Sequence, residues 1–306
     1  MNLFILCLCR FFKIVGILEE NYQKLLFITY REENMSDYLK VNSSKLQHHT
    51  NNPMFEKYIE QAKFIIAESP ICEDELHPIF SFVKQITDYI TIKAAMNSYS
   101  NPYPDIGNMF EKFFEGKGSK QSIEKISKIL LKKTSRENTL SYKKEGYKVI
   151  DYDLSIDLAN NPIVLNPWML QRVVNAITSI ATKDNEFDRK KGGKNIINKF
   201  YYPTGISICH GGHHSQYSAK IKGKGITSIQ EVINIEKYYD YVKFNGEYFE
   251  YRFNKFKNFF LPHREYITTE DEFYAGILFE IGRLLKNRID IFPKDIQKVI
   301  HYAEDD

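Results

Sequence analysis

The stretch GISICHGGHHSQYSAKIKGKG, Gly205 to Gly225, constrains this chain more than any other. Ile206, Ile208 and Cys209 suit a short buried strand, with Cys209 an inert core thiol. Gly211-Gly212 then admits positive φ and the close approach of a ligand to the backbone. From His213 the pattern predicts a short helix that stops at glycine. A helix starting directly after such a turn presents unpaired N–H groups and the positive end of its dipole. That combination is a site for phosphate. His213 and His214 add hydrogen-bond donors or a proton shuttle, and Ser215 adds a hydroxyl.

The rest of the chain divides around this turn. Before it, Asn52-Pro53 reads as an N-cap with Pro at the first helical position. Phe55, Tyr58, Ile59, Ala62, Ile65 and Ile66 follow at helical spacing. Glu73 to Tyr99 predicts a second helix, kinked or truly begun at Pro78. Asp105 to Glu115 predicts a third, and Ser119 caps a fourth with Ile123, Ile126, Ile129 and Leu130 inward. The pattern changes at Gly146. Lys148 to Leu158 alternates like a strand, Asn160-Asn161-Pro162 turns the chain, and Asn166-Pro167 signals a helix running to about Thr182. Lys183 to Lys199 reads as a polar loop. Beyond the turn come a strand at Glu231 to Ile235 and an Asn245-Gly246 hairpin. A capping box at Thr269 and Glu272 opens a helix to about Asn287, and a last short helix spans Pro293 to Tyr302. The expected division is a helical region over 35–145, an α/β core over 146–262 and C-terminal helices over 263–306.

Residues 1–34 stand apart. Leu3 to Leu18 is apolar, but Arg10 and Lys13 interrupt it and it is shorter than the roughly 20 residues a bilayer span needs. Arg31 to Asn34 can be encoded by a purine-rich run at ribosome-binding distance from an ATG at Met35. The expectation is that 1–34 is translated leader and that Met35 starts the protein, which leaves no membrane partner. An interfacial helix is the alternative. Four cysteines without paired CxxC spacing form no disulfide framework, and a cytoplasmic setting is expected.

Three landmarks in order carry a family resemblance over residues 147–240. They are the strand Val149 to Leu158 with its Asn161-Pro162 turn, the helix Leu170 to Ile180 ending in Ser179-Ile180, and the strand–glycine–helix unit Gly211-Gly212-His213-His214-Ser215 with Gly223 at its end. The unit resembles the ParB/sulfiredoxin-like superfamily, inside what looks like an uncharacterised bacterial domain family. The resemblance implies an α+β, mixed α/β fold with a small ParB-like sheet core, and nucleotide handling. It places Gly211, Gly212 and His213 in nucleotide binding, and His214 and Ser215 in catalysis. The sequence departs from the pattern at Ser215, where the family carries a phosphate-gripping arginine. Arg172, Arg189 or Lys190-Lys191 are the candidates to replace that charge. His213 stands where sulfiredoxin has its cysteine, so sulfiredoxin chemistry is not expected.

Three functions are weighed. The first is a nucleotide-binding, ParB-like protein that hydrolyses or transfers a phosphoryl group, with Mg2+ as the accompanying ion. The second is a non-catalytic module binding nucleotide, or nucleic acid through residues 117–148, where ten Lys/Arg stand against three Glu. The third is a metal-dependent nuclease built on His210, His213 and His214, with Cys209 or His263 in support. Asp151, Asp153 and Asp157 share one strand face and are acid/base candidates if that face meets the turn. Trp168 is read as a packing anchor over a base-stacking platform, and the Tyr238 to Tyr251 aromatic cluster mainly as strand pairing and core packing, with nucleobase stacking as its alternative.

Overall fold

The computed structural model describes residues 52–72, 75–99, 106–119, 121–136, 147–150, 153–187, 195–252 and 263–304. The leader expectation for 1–34, the Met35 start, Asp151, Arg189 to Lys191 and Gly192-Gly193 lie outside them. Helix α1 (Pro53–Glu68) starts as its sequence dictates, with the Asn52 side chain accepting from the N–H groups of Met54 and Phe55. Helix α2 (Pro78–Asn97) begins at its proline, where φ is preset and the missing N–H costs nothing. Helices α3 (Ile106–Glu115) and α4 (Gln121–Leu130) follow. Ile123 of α4 is buried, whereas Ile129 is exposed rather than inward. The Ser119 hydroxyl faces Glu265, 3.5 Å away.

Strand β1 (Lys132–Arg136) departs from the helical region expected over 35–145. It lies inside a six-stranded sheet of order β2-β1-β8-β5-β6-β4. The others are β2 (Tyr147–Ile150), β4 (Ile163–Val164), β5 (Ile197–Tyr202), β6 (Ile206–Gly211) and β8 (Glu231–Asn234). Pairing is mixed: β5 runs antiparallel to β6 and parallel to β8, and β1 runs antiparallel to β8. The sheet therefore draws on residues before 146 as well as after it. Strand β5 begins inside the stretch expected to be loop. Two smaller sheets accompany it, β3 (Ser155–Asp157) with β7 (Ile226–Ser228), and β9 (Val242–Phe244) with β10 (Tyr248–Tyr251) and β11 (His263–Tyr266). Strand β11 occupies the start of the segment expected to be purely helical. The hairpin at Asn245-Gly246 forms as expected, the Asn245 side chain accepting from the N–H groups of Glu247 and Tyr248.

Helix α5 (Leu170–Ser179) starts later than Asn166-Pro167 suggests. Helix α6 (His213–Ile221) runs beside it in the same direction. Their starts meet through Met169 and His214, and their ends through Ser218 and Lys222, which donate to the Ala176, Ile177 and Ile180 carbonyls. The Lys222 cation thus completes the carbonyl end of α5. Helix α7 (Glu270–Leu285) carries the expected capping box between Thr269 and Glu272, and α8 (Lys294–Glu304) closes the described chain.

The two sheet faces are covered differently. Gln216 of α6 reaches Asn198 and Cys209, so α5 and α6 lie on that face. Glu111 and Glu115 of α3 reach Lys199 and Tyr201 on the other. One hydrophobic core spans α1 to α8 and the sheets, including Tyr238, Tyr239, Phe244, Phe249 and Tyr251, so the aromatic cluster is packing. Residues 51–306 form one compact unit. Among the described residues no helix is long and apolar enough to cross a membrane.

Candidate functional site

The glycine turn is as expected in outline, but its two glycines do different work. Gly212 sits at φ +80, left-handed, and no side chain caps the start of α6 behind it. Gly211 is the last residue of β6 and takes no positive φ. A Cβ there would lie 2.5 Å from the Asn195 carbonyl oxygen, so glycine is needed for close backbone approach. Ser215 donates back to the Gly212 carbonyl at 3.1 Å.

Beneath the turn, Asn198, Gln216 and Thr227 form a fully buried polar network. Gln216 donates to the Gly211 carbonyl at 3.1 Å and to Asn198 at 3.1 Å, and accepts from Thr227 at 2.6 Å. Asn198 also donates to Thr227 and to the Ser228 carbonyl. Nothing in the sequence marks these three residues, because each is an ordinary polar residue spaced far from the others. Together they fix where the turn sits on the sheet.

His213 and His214 face the segment ahead of α5. The Asn166 N–H donates to His213 Nδ1 at 3.1 Å, and the Met169 N–H donates to His214 Nε2 at 3.3 Å. This is why α5 starts late: the backbone from Asn166 to Met169 is held by the histidines, and Met169 rather than Asn166 is the N-cap. A neutral imidazole accepting through one nitrogen carries its proton on the other. Burial, helped by His213 and the Arg172 guanidinium, lowers the His214 pKa to about 4, so His214 is neutral at pH 7.

These residues line a cleft of about 600 Å³ with Trp168, Arg172, Asn175, Ala176 and Asn195. The Trp168 ring meets His214 edge-on at 5.6 Å, and the Arg172 guanidinium lies over the indole at 5.4 Å. Arg172 forms no ion pair among the described residues. By contrast, Lys93, Lys112, Lys117, Lys133, Lys199, Lys220 and Lys286 each have a carboxylate partner. Of the charges proposed to replace the absent arginine, Arg172 is the one the described structure brings to the turn. Trp168 is a cleft wall rather than a packing anchor. Asn175 and Asn195 gave no sequence signal.

Other sequence candidates lie elsewhere. His210 is on the opposite sheet face, its Nε2 3.8 Å from Glu111. It cannot join His213 and His214, and among the described residues no three His, Cys, Asp or Glu side chains converge as metal ligands. Cys209 is buried, as expected. Asp157 accepts from the Ala159 N–H and the Asn160 side chain, closing its own turn, and neither it nor Asp153 lines the cleft. No carboxylate lines the cleft among the described residues, so its wall does not fit a resident Mg2+ ion.

Within the 117–148 stretch, three of the described lysines pair with carboxylates. Lys117 binds Glu111 at 2.8 Å, Lys133 binds Glu115, and Lys128 pairs with Glu124 at 3.1 Å. Lys120, Lys143 and Lys144 lie outside the described residues. Burial works to raise the Glu111 pKa, but Lys117 and Lys199 outweigh it and bring it down to about 2.

No curated protein and no solved structure matches this chain. Residues 38–291 match a family of unknown function, DUF6710, and the chain belongs to that family.

Proposed function

We propose that the protein binds a nucleotide in the cleft between α5 and α6, with the phosphate at the β6–α6 turn. The observation that carries this reading is the meeting of a helix start without a side-chain cap and Arg172, which forms no ion pair among the described residues, in a cleft whose described wall carries no carboxylate. Unpaired N–H groups at a helix start and a guanidinium both favour an anion. The cleft volume falls in the roughly 300–1,000 Å³ range of small-molecule sites. The ParB-like order of strand, glycine turn and helix supports the same reading, with Arg172 supplying from α5 the charge that Ser215 does not. The assignments made at the turn then become binding roles. Gly212 gives the phosphate access to the backbone, Gly211 lets the Asn195 segment pack against the turn, His213 and His214 fix the α5 entry against α6, and Ser215 offers its hydroxyl.

Binding is favoured over phosphoryl transfer. A neutral His214 that accepts from Met169 has no proton to give through that nitrogen, and among the described residues no carboxylate base lines the wall. Isothermal titration of the full chain with ribonucleotides tests the reading. Arg172→Ala should weaken binding at least tenfold with the fold unchanged by circular dichroism. Equal affinity in Arg172→Ala would overturn it.

A further inference from the structure

Resting on that reading, we infer that the ligand is a nucleoside monophosphate, held without a divalent ion, with its base against Trp168. Three features of the cleft carry this. First, Trp168 keeps 37% of its surface exposed. It stands at the cleft wall between the edge of His214 and the Arg172 guanidinium. An indole left in water beside an anion site offers a base both an aromatic face and a cationic edge.

Second, the positive charge is limited. One guanidinium and one helix start suit a single phosphate carrying up to two negative charges. A triphosphate carries about twice that charge, and such ligands ordinarily bring Mg2+ held partly by protein carboxylates. The described wall has none. Third, the two ends of the site are coupled. His214 touches the Trp168 ring, and its Nε2 accepts from the residue next to that tryptophan, so phosphate at α6 and base at α5 act on one rigid unit.

Trp168 is the only tryptophan in the chain, so its emission reports this cleft alone. The test titrates the full chain with the four ribonucleoside monophosphates, the matching triphosphates, ribose 5-phosphate, inorganic phosphate and a short single-stranded oligonucleotide. Each is run in EDTA and again in Mg2+. At least one monophosphate should quench the emission, with an affinity that changes less than twofold on adding Mg2+. Ribose 5-phosphate should bind about tenfold more weakly, equivalent to about 1.4 kcal/mol. By calorimetry, Trp168→Phe should keep most of the monophosphate affinity, and Trp168→Ala should lose about tenfold.

Ribose 5-phosphate binding as tightly as every nucleotide would overturn the base contact while leaving the phosphate site standing. A triphosphate that binds best and only with Mg2+ would overturn the metal-free monophosphate. An oligonucleotide binding tenfold more tightly than any mononucleotide would assign the cleft to a strand instead. Failure of every phosphate-bearing ligand, by emission and by calorimetry, would overturn the nucleotide reading itself.

Discussion

Gly211 and Gly212 look interchangeable in the sequence, and the structure separates them. Gly212 needs its left-handed backbone, and an L-residue there pays roughly 1–2 kcal/mol for the conformation. Its added Cβ would meet Ile196 at 3.2 Å, a side-chain atom able to yield. Gly211 has ordinary backbone, but its Cβ would sit 2.5 Å from a backbone oxygen of Asn195, next to β5. Relief there requires the paired strand to move. Gly211→Ala should therefore destabilise more than Gly212→Ala, and Gly212→Asn should recover part of the loss because asparagine tolerates the left-handed region. Urea unfolding of the three variants checks the order. A Gly212→Ala cost above that of Gly211→Ala would contradict it. The pair was legible as a special turn, whereas the reason for Gly211 depends on Asn195, sixteen residues away.

At the scale of elements, those that follow local rules were legible. Asn52-Pro53, Pro78, Asn245-Gly246 and Thr269 with Glu272 mark boundaries because each satisfies or removes a backbone N–H near itself. Strand β1 was not legible, because its sequence, KKTSR, lacks apolar alternation. It is held in the sheet by charges supplied from α3. Lys133 binds Glu115, which also accepts from the Tyr201 hydroxyl at 2.6 Å, and Lys199 binds Glu111. Glu115 is fully buried, and although burial works to raise its pKa, Lys133, Lys117 and Lys199 hold it below the usual value. Removing one partner from such a cluster strands the others without compensation, at a cost of about 3–5 kcal/mol. Glu115→Ala should lose about that much at pH 7. Both glutamates have depressed pKa values in the folded state, so their stabilisation is complete above about 4.5. For Glu111 it is lost as pH falls toward about 2. The gap between Glu115→Ala and the parent should accordingly narrow at pH 3. An unchanged gap, measured by urea unfolding at both pH values, would show that Glu115 acts through packing and not through charge.

At the scale of the whole molecule, the sequence pattern changes near 146 and 262, and one hydrophobic core includes residues on both sides of each position. Sheet order places β1 beside β8, and α7 is packed on both its flanks. Twelve of its sixteen residues are buried, among them Phe273, Ile277, Leu278, Phe279, Ile281 and Leu285. Its polar groups also close the fold. Glu280 accepts from the Phe244 N–H at 2.7 Å, and Arg283 donates to the carbonyls of Tyr239 and Val242. A sequence pattern shows that such a helix is apolar on most sides, but not which distant strands it completes. Burying one large apolar side chain contributes roughly 1.5–3 kcal/mol, so the six named here contribute roughly 9–18 kcal/mol. That equals or exceeds the total stability of about 5–15 kcal/mol typical of a domain. A chain ending at residue 262 should therefore fail to form the central sheet, including the β6–α6 turn that lies outside the deleted segment. The full chain should lose its near-ultraviolet circular dichroism in one thermal transition, and the shortened chain should show no such signal at 25 °C. A native-like spectrum from the shortened chain would instead make residues 52–262 a self-sufficient unit, with α7 and α8 docked onto it.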